Sequence, residues 1–342
     1  MIAATRLPIV CAALFLLGAA LVGLLVGPVD LGIIAIARAA LSHVPLLHVH
    51  SGLSESDRAI LWQLRAPRVV LGALVGGMLA LAGASYQGVF RNPLADPYLL
   101  GIAAGAGLGA TLAIVYGRET VRVYDLIPLA AFAGGAVGVI AAYALGRSAS
   151  RGRSTASLIL AGVTITSFLT AIQTFVQQQH SQSLQEVYSW ILGHLDTAGW
   201  HDVALVAPYI AVSATVILLH RRVLDVLSVG DEEAASLGIN VNRTRLLVVI
   251  FATVGTAAAV AISGLIGFVG IIVPHAIRLV LGPSYRLILP LSLLGGAGFL
   301  VLADVIARSV MSPAELPIGV ITAFFGAPFF AVVLRTSRSV GP

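Results

Sequence analysis

Apolar residues in this chain come in long unbroken runs instead of the spaced stripes of a water-facing helix. Ten runs can be read, at residues 7–27, 68–90, 98–116, 126–146, 154–177, 203–220, 246–263, 265–282, 287–307 and 316–334. A helix rises about 1.5 Å per residue, so about 20 apolar residues cross the hydrocarbon of a bilayer. The pattern predicts an all-α membrane protein of about ten transmembrane helices, folded as one domain over residues 1–342. The first run follows Arg6, and its continuation has no small-x-small cleavage pattern, so it is expected to remain as the first helix.

Polar residues interrupt this pattern in three places. In Arg91-Asn-Pro-Leu-Ala-Asp-Pro-Tyr-Leu-Leu-Gly101 two charges and two prolines fall within seven residues. Arg91, Asn92, Pro93, Asp96 and Pro97 read as a stiff turn: the prolines stop the preceding helix, Asp96 caps the next, and Pro97 takes its first position. The second interruption is the longest polar insertion, about 221–245. There Ser228 is expected to cap a short surface helix with Asp231, Glu232 and Glu233 in its first turn and Gly238 at its end. A bare connector needs only a few residues, so a helix of this kind suits a lever docking into another protein. The third lies within the fifth run, where Thr166, Thr170, Gln173 and Gln177 recur at i, i+4, i+7 and i+11 and share one helix face. A polar stripe in a membrane helix either bonds to neighbouring helices or lines a wet pathway, and the flanking glutamines favour the pathway.

Small residues repeat every four positions at Gly72, Gly76, Ala80 and Ala84 and at Gly101, Gly105 and Gly109, the spacing of close helix packing. A faint echo links the stretch from Ala80 to Pro97 with that from Ala261 to Arg278. Both run from small residues and glycines into a segment bearing proline and arginine, a mark of transporters built from two related halves.

Composition narrows the chemistry. The residues are 58% hydrophobic and 10% charged, and the mean hydropathy is +0.99. All twenty basic residues are arginine. Without lysine, neither a Walker phosphate loop nor Schiff-base catalysis can be built in this chain, so any ATP and its Mg belong to a partner, and no cofactor is expected here. The arginines flank apolar runs and form no stripe with interleaved aromatics, which argues against nucleic acid. The single cysteine, Cys11, allows no disulfide or zinc framework. Histidines such as His43, His48, His50, His180, His194 and His201 fall in loops or helix ends without carboxylates at ligand spacing, so no metal site is expected.

Placing both termini on the inside puts thirteen arginines there and leaves seven outside: Arg38, Arg58, Arg65, Arg68, Arg118, Arg122 and Arg308. That balance favours cytoplasmic termini. Asp304 is the one acid near a helix body and is expected at an outer end. The lack of intramembrane acid pairs argues against a proton-driven carrier.

Four long stretches carry a likeness. They are LRAPRVVLGALVGGMLALAGASYQGVFRNPLADPYLLGIAAGAGLGA, LSVGDEEAASLGINV, SGLIGFVGIIVPHAIRLVLG and LADVIARSVMSPAELPIGVITAFFGAPFF. In this order the chain resembles the FecCD and BtuC-like permease subunits of type II ABC importers for iron chelates, haem and cobalamin. The resemblance implies ten helices per subunit, an inner-membrane homodimer, two ATPase subunits inside and a binding protein outside. It implies that Arg65, Arg68 and Arg308 dock acidic residues of the binding protein. Ser228, Gly230, Asp231, Glu232, Glu233, Leu237 and Gly238 would form the coupling helices. The path would follow the dimer axis beside the fifth helix, with an inner gate at 147–157. The expected function is import of a ferric siderophore or haem. Cobalamin is the first alternative; a passive channel or ion-coupled carrier, and then a membrane enzyme, are the alternatives of other classes. Ala66 and His194 depart from the family pattern at positions bearing on cargo.

Overall fold

The computed structural model describes residues 2–27, 29, 31–41, 52–117, 123–149 and 155–337. Arg118, Arg122, Arg151, Arg153, Arg338, His43, His48 and His50 lie outside them, as does part of the expected inner gate. In chain order the helices are α1 (Ile2–Leu25), α2 (Ile33–Leu41), α3 (Glu55–Ala59), α4 (Ala66–Phe90), α5 (Ile102–Tyr116), α6 (Val123–Ala149), α7 (Thr155–Gln179), α8 (Leu184–Ile191), α9 (Trp200–Leu219), α10 (Arg221–Val229), α11 (Asp231–Ser236), α12 (Val241–Ser263), α13 (Val269–Leu281), α14 (Tyr285–Ser309) and α15 (Ile318–Ser337). Among the described residues seven helical stretches have the length and hydropathy of a membrane span, and three shorter apolar helices, α5, α13 and α15, match the remaining runs.

The boundaries differ from the sequence expectation where backbone chemistry intervenes. The second span begins at Glu55, earlier than residue 68, because α3 and α4 join through a π-helical turn at Ile60–Arg65 into one 36-residue helix. Pro67 lacks an N–H, and the wider turn just ahead of it absorbs the interrupted ladder. Ser54 caps the new start, accepting from the Asp57 N–H at 3.1 Å. The eighth run begins later than expected. Residues 264–268 are unwound, and α13 starts only at Val269, behind Phe268 at φ +68°.

Helix α4 is the axis of the packing and touches α14, α12, α13 and α9. Lipid tails are as apolar as leucine, so helices associate here through close van der Waals approach, for which small residues are needed. Gly105 and Gly134 meet so that a Cβ on either would strike the other's carbonyl, joining α5 to α6. Gly83 lies equally close to the backbone of Gly270 on α13. The two stretches that echo each other in sequence therefore pack face to face. They are not structural copies, since the first stays helical to Phe90 while the second unwinds at Gly264. Between α4 and α12, the buried Tyr86 hydroxyl bonds Thr253 Oγ1 at 2.7 Å.

Replacing Gly83 by valine should force α4 and α13 apart, lowering the thermal midpoint and the monodisperse yield in detergent. Gly18→Val, on α1 with no atom within 4 Å, should leave both unchanged. Equal behaviour of the two variants would contradict this packing.

Candidate functional site

Polar side chains concentrate at the two ends of the bundle and on one helix between them. At the end where α4 begins, Arg65 and Arg308 are each only 4% exposed. Arg65 Nη1 donates to the carbonyls of Leu24 at 2.9 Å and Leu25 at 3.1 Å, and Nη2 donates to Val29 O. Arg308 Nη2 donates to Gly23 O at 2.6 Å. The last carbonyls of a helix have no intrahelical partner and carry the negative end of its dipole, so these two arginines close the end of α1. They do not stand free at a rim, as docking to acidic groups would require. Sequence reasoning missed this because the partners are backbone atoms up to 285 positions away.

Arg68 stands between two carboxylates. Its Nε lies 3.0 Å from both Asp304 oxygens and its Nη2 2.8 Å from Oδ1, while Nη1 and Nη2 reach Glu315 at 3.1 and 2.8 Å. Asp304 lies near the end of α14 and is buried there; a buried carboxylate persists only when paired, and Arg68 supplies the pair. A small cavity opens beside this group, lined among others by Ser189, His194, Asp196 and Glu315. His194 Nδ1 lies 3.5 Å from Asp196 Oδ1. Burial holds the His194 pKa below its ordinary value, against the pull of the Asp196 and Asp202 carboxylates, so the ring is neutral at pH 7.

At the opposite end, Arg91 ends α4 in the left-handed conformation (φ +49°), and Asn92 organises the turn. Asn92 Oδ1 accepts from Leu94 N at 3.0 Å, and its carbonyl accepts from Ala95 N at 3.0 Å. Asp96 accepts from Tyr98 N at 2.8 Å, but the element it caps is a 3-10 turn, Pro97–Leu100, with Pro97 at its start. Helix α5 begins one residue after Gly101, whose φ of +84° suits glycine. Pro93 lies exposed within the turn. Burial of the Asp96 carboxyl pushes its pKa up to about 6, the Tyr98 N–H working the other way.

The polar insertion folds as two short helices, not one. Ser228 lies in the last turn of α10 and donates to Asp225 O at 2.6 Å. It therefore caps nothing; Gly230, in extended backbone, separates α10 from α11. Asp231, Glu232 and Glu233 do fill the first turn of α11, where the helix dipole favours acids, and Gly238 ends it at φ +78°. Asp231 receives Arg91 Nη2 at 2.9 Å and both Nη atoms of Arg245 at 2.9 and 2.7 Å. Asp225 of α10 accepts from Ser284 Oγ at 3.0 Å and from Tyr285 N, and pairs with Arg286 Nε at 3.1 Å, which fastens α10 to the start of α14. Leu237 remains 70% exposed between the acids and Gly238.

The expected stripe on α7 is not an open lining. Gln173 is buried over Gly107 of α5 and donates to Thr111 Oγ1 at 3.1 Å. Thr166 and Gln177 are half-buried, and only Thr170 is exposed. Besides Thr170, the uncovered polar residues of α7 include Thr164, Ser167, Thr174 and Gln178. Their three hydroxyls bond back to Leu160, Val163 and Thr170 carbonyls at 2.9 Å, so the helix presents them without needing a neighbour. Their spacing was visible in the sequence; which sector α5 and α6 cover was not. Among the described residues no group of three His, Cys, Asp or Glu side chains is placed to hold a metal.

Comparison with known proteins matches the model of the FecCD transport family over residues 12–336. The cobalamin import system permease protein BtuC of Halobacterium salinarum is 44% identical over 285 residues, covering 83% of this chain and 75% of that protein. The hemin transport system permease protein HmuU of Yersinia pestis is 38% identical over 282 residues, covering 80% and 83%. A solved structure of a metal-chelate type ABC transporter in an inward-facing conformation superposes with a TM-score of 0.83 at 29% identity, covering 96% of this chain and 98% of that one. The chain belongs to the FecCD transport family, the membrane-spanning permease subunits of ABC transporters.

Proposed function

We propose that this subunit carries an iron chelate, a ferric siderophore or haem, across the inner membrane by alternating access, driven by ATP that a separate subunit hydrolyses with Mg. The observation that carries this reading is the α10–α11 insertion. It is a folded lever, fastened by Asp225 to α14 and by Asp231 to α4 and α12, that leaves Leu237 and two acids facing outward. A solitary channel has no use for such a device. A motor protein has one, because displacing α11 displaces three membrane helices together. Two copies would pair with α7 of each beside the shared axis, where Thr164, Ser167, Thr174 and Gln178 give a polar but uncharged wall. Two ATPases would sit on the α11 side, with the termini on that same side, and a binding protein would sit on the Arg68 side. There the Arg68–Glu315 pair, whose carboxylate is one-third exposed, faces the partner, while Arg65 and Arg308 hold α1 in place beneath it. Cobalamin is the second reading, favoured by the 44% identity to a permease named for it.

Leu237→Asp should reduce co-purification of the ATPase about tenfold, the loss of one apolar anchor at an interface, without changing the thermal midpoint. Undiminished co-purification would contradict the lever. Thr164→Leu with Thr174→Leu should slow uptake several-fold at normal stability, whereas Gln173→Leu should chiefly lower stability; the reverse ranking would move the path off this face. Arg68→Glu should weaken binding-protein capture at low salt, while Arg65→Ala and Arg308→Ala should lower the thermal midpoint. Capture unaffected by Arg68→Glu would remove its docking role.

A further inference from the structure

The break at 264–268 lies inside the bundle, and Ile266 is 1% exposed. An unwound backbone there needs partners, since no bulk water reaches it. One side chain supplies two of them: the Tyr98 hydroxyl donates to Ile266 O at 3.1 Å and accepts from Ile266 N at 3.3 Å. A phenol can do both at once, having one hydrogen and free lone pairs. A second clasp grips the helix that follows. The buried Gln87 amide donates to Gly270 O at 3.1 Å and its oxygen accepts from Arg278 Nη2 at 2.7 Å. Tyr98 and Gln87 flank the 91–97 turn, whose first residue, Arg91, is paired with Asp231 at the start of α11. Beyond the break, Phe268 holds a left-handed φ with its ring against Gly326 of α15.

We propose that Tyr98 is a positioning residue. Together with the Arg91–Asp231 pair it makes the 91–101 turn a stiff link through which displacement of α11 is delivered to the break between α12 and α13, and onward through Phe268 to α15. The proposal rests on α11 facing the ATPase. An exposed ion pair adds little stability, so the Arg91–Asp231 pair serves to fix register between lever and turn. Tyr98 fixes register between turn and break. A carbonyl and an amide released together would let the segment 264–268 take other conformations without moving α11.

The test uses the assembled transporter in proteoliposomes, with ferric citrate, haemin and cobalamin assayed in parallel and both ATP hydrolysis and uptake measured. Tyr98→Phe keeps the ring and removes the hydroxyl. It should retain ATP hydrolysis within about twofold while uptake per ATP falls at least fivefold, and Arg91→Gln should lower the same ratio less. The double variant should be no worse than Tyr98→Phe alone, as expected when two residues act in series. An unchanged ratio in Tyr98→Phe, or a double variant equal to the product of the singles, overturns the link. A proportional fall of hydrolysis and uptake with a lowered thermal midpoint reduces Tyr98 to a structural role and overturns it too. Should Tyr98→Phe fail to assemble, the surface variant Arg91→Gln decides: an unchanged ratio overturns the proposal. Leu237→Asp is the control for the reading beneath. If it leaves ATPase binding and uptake intact, α11 does not face the ATPase, whatever Tyr98 does.

Discussion

A backbone amide or carbonyl without a partner costs several kcal/mol in hydrocarbon, and the arrangement of this chain follows from avoiding that cost wherever a helix ends or breaks. Several of these irregularities have a side chain assigned to them. Arg65 and Arg308 close the carbonyl end of α1, Asp225 takes the first amide of α14, and Tyr98 serves both polar groups of Ile266. These are long-range bonds, so each of these sites is tied to a distant part of the chain. A bundle with no hydrophobic drive between its members is thereby given a fixed set of joints.

The joints divide by end. Around Arg68, two carboxylates and two buried arginines knit α1, α4, α14 and the segment before α15 into one block. At the other end Asp225 and Asp231 bind a surface lever to α4, α12 and α14 through exposed or half-exposed pairs. Burial makes the first set hard to open. Each pair of the second set adds little stability by itself, but together they fix the register of the surface helices against α4, α12 and α14, as the proposed lever requires.

Much of this was legible in the sequence, and the failures share a cause. Run length located the apolar segments, since the bilayer fixes how long a span must be; among the described residues seven form span-length helices and three form shorter ones. The turn at 91–101 was legible because Asn92, Asp96 and Gly101 act within three residues of themselves. The acids of α11 could be placed from the helix dipole. What escaped were assignments that depend on which neighbours cover which sector. Gln173 looked like a wall residue until α5 covered it, and the docking arginines looked free until α1 claimed two of them. The break before α13 was hidden because Leu265, Ile266 and Phe268 keep the run apolar. Its only local sign is the pair Gly264 and Gly267, and the residue that makes the break tolerable lies 168 positions earlier.

The central claim is that this chain moves a metal chelate only when a partner spends ATP. Proteoliposomes holding the permease with its ATPase, charged inside or outside with labelled ferric siderophore, haem or cobalamin and offered ATP or a non-hydrolysable analogue, test it most directly. The account predicts inward movement of one of these chelates against its gradient with ATP and none with the analogue. Flux down the gradient in either direction at equal rates without ATP would contradict it.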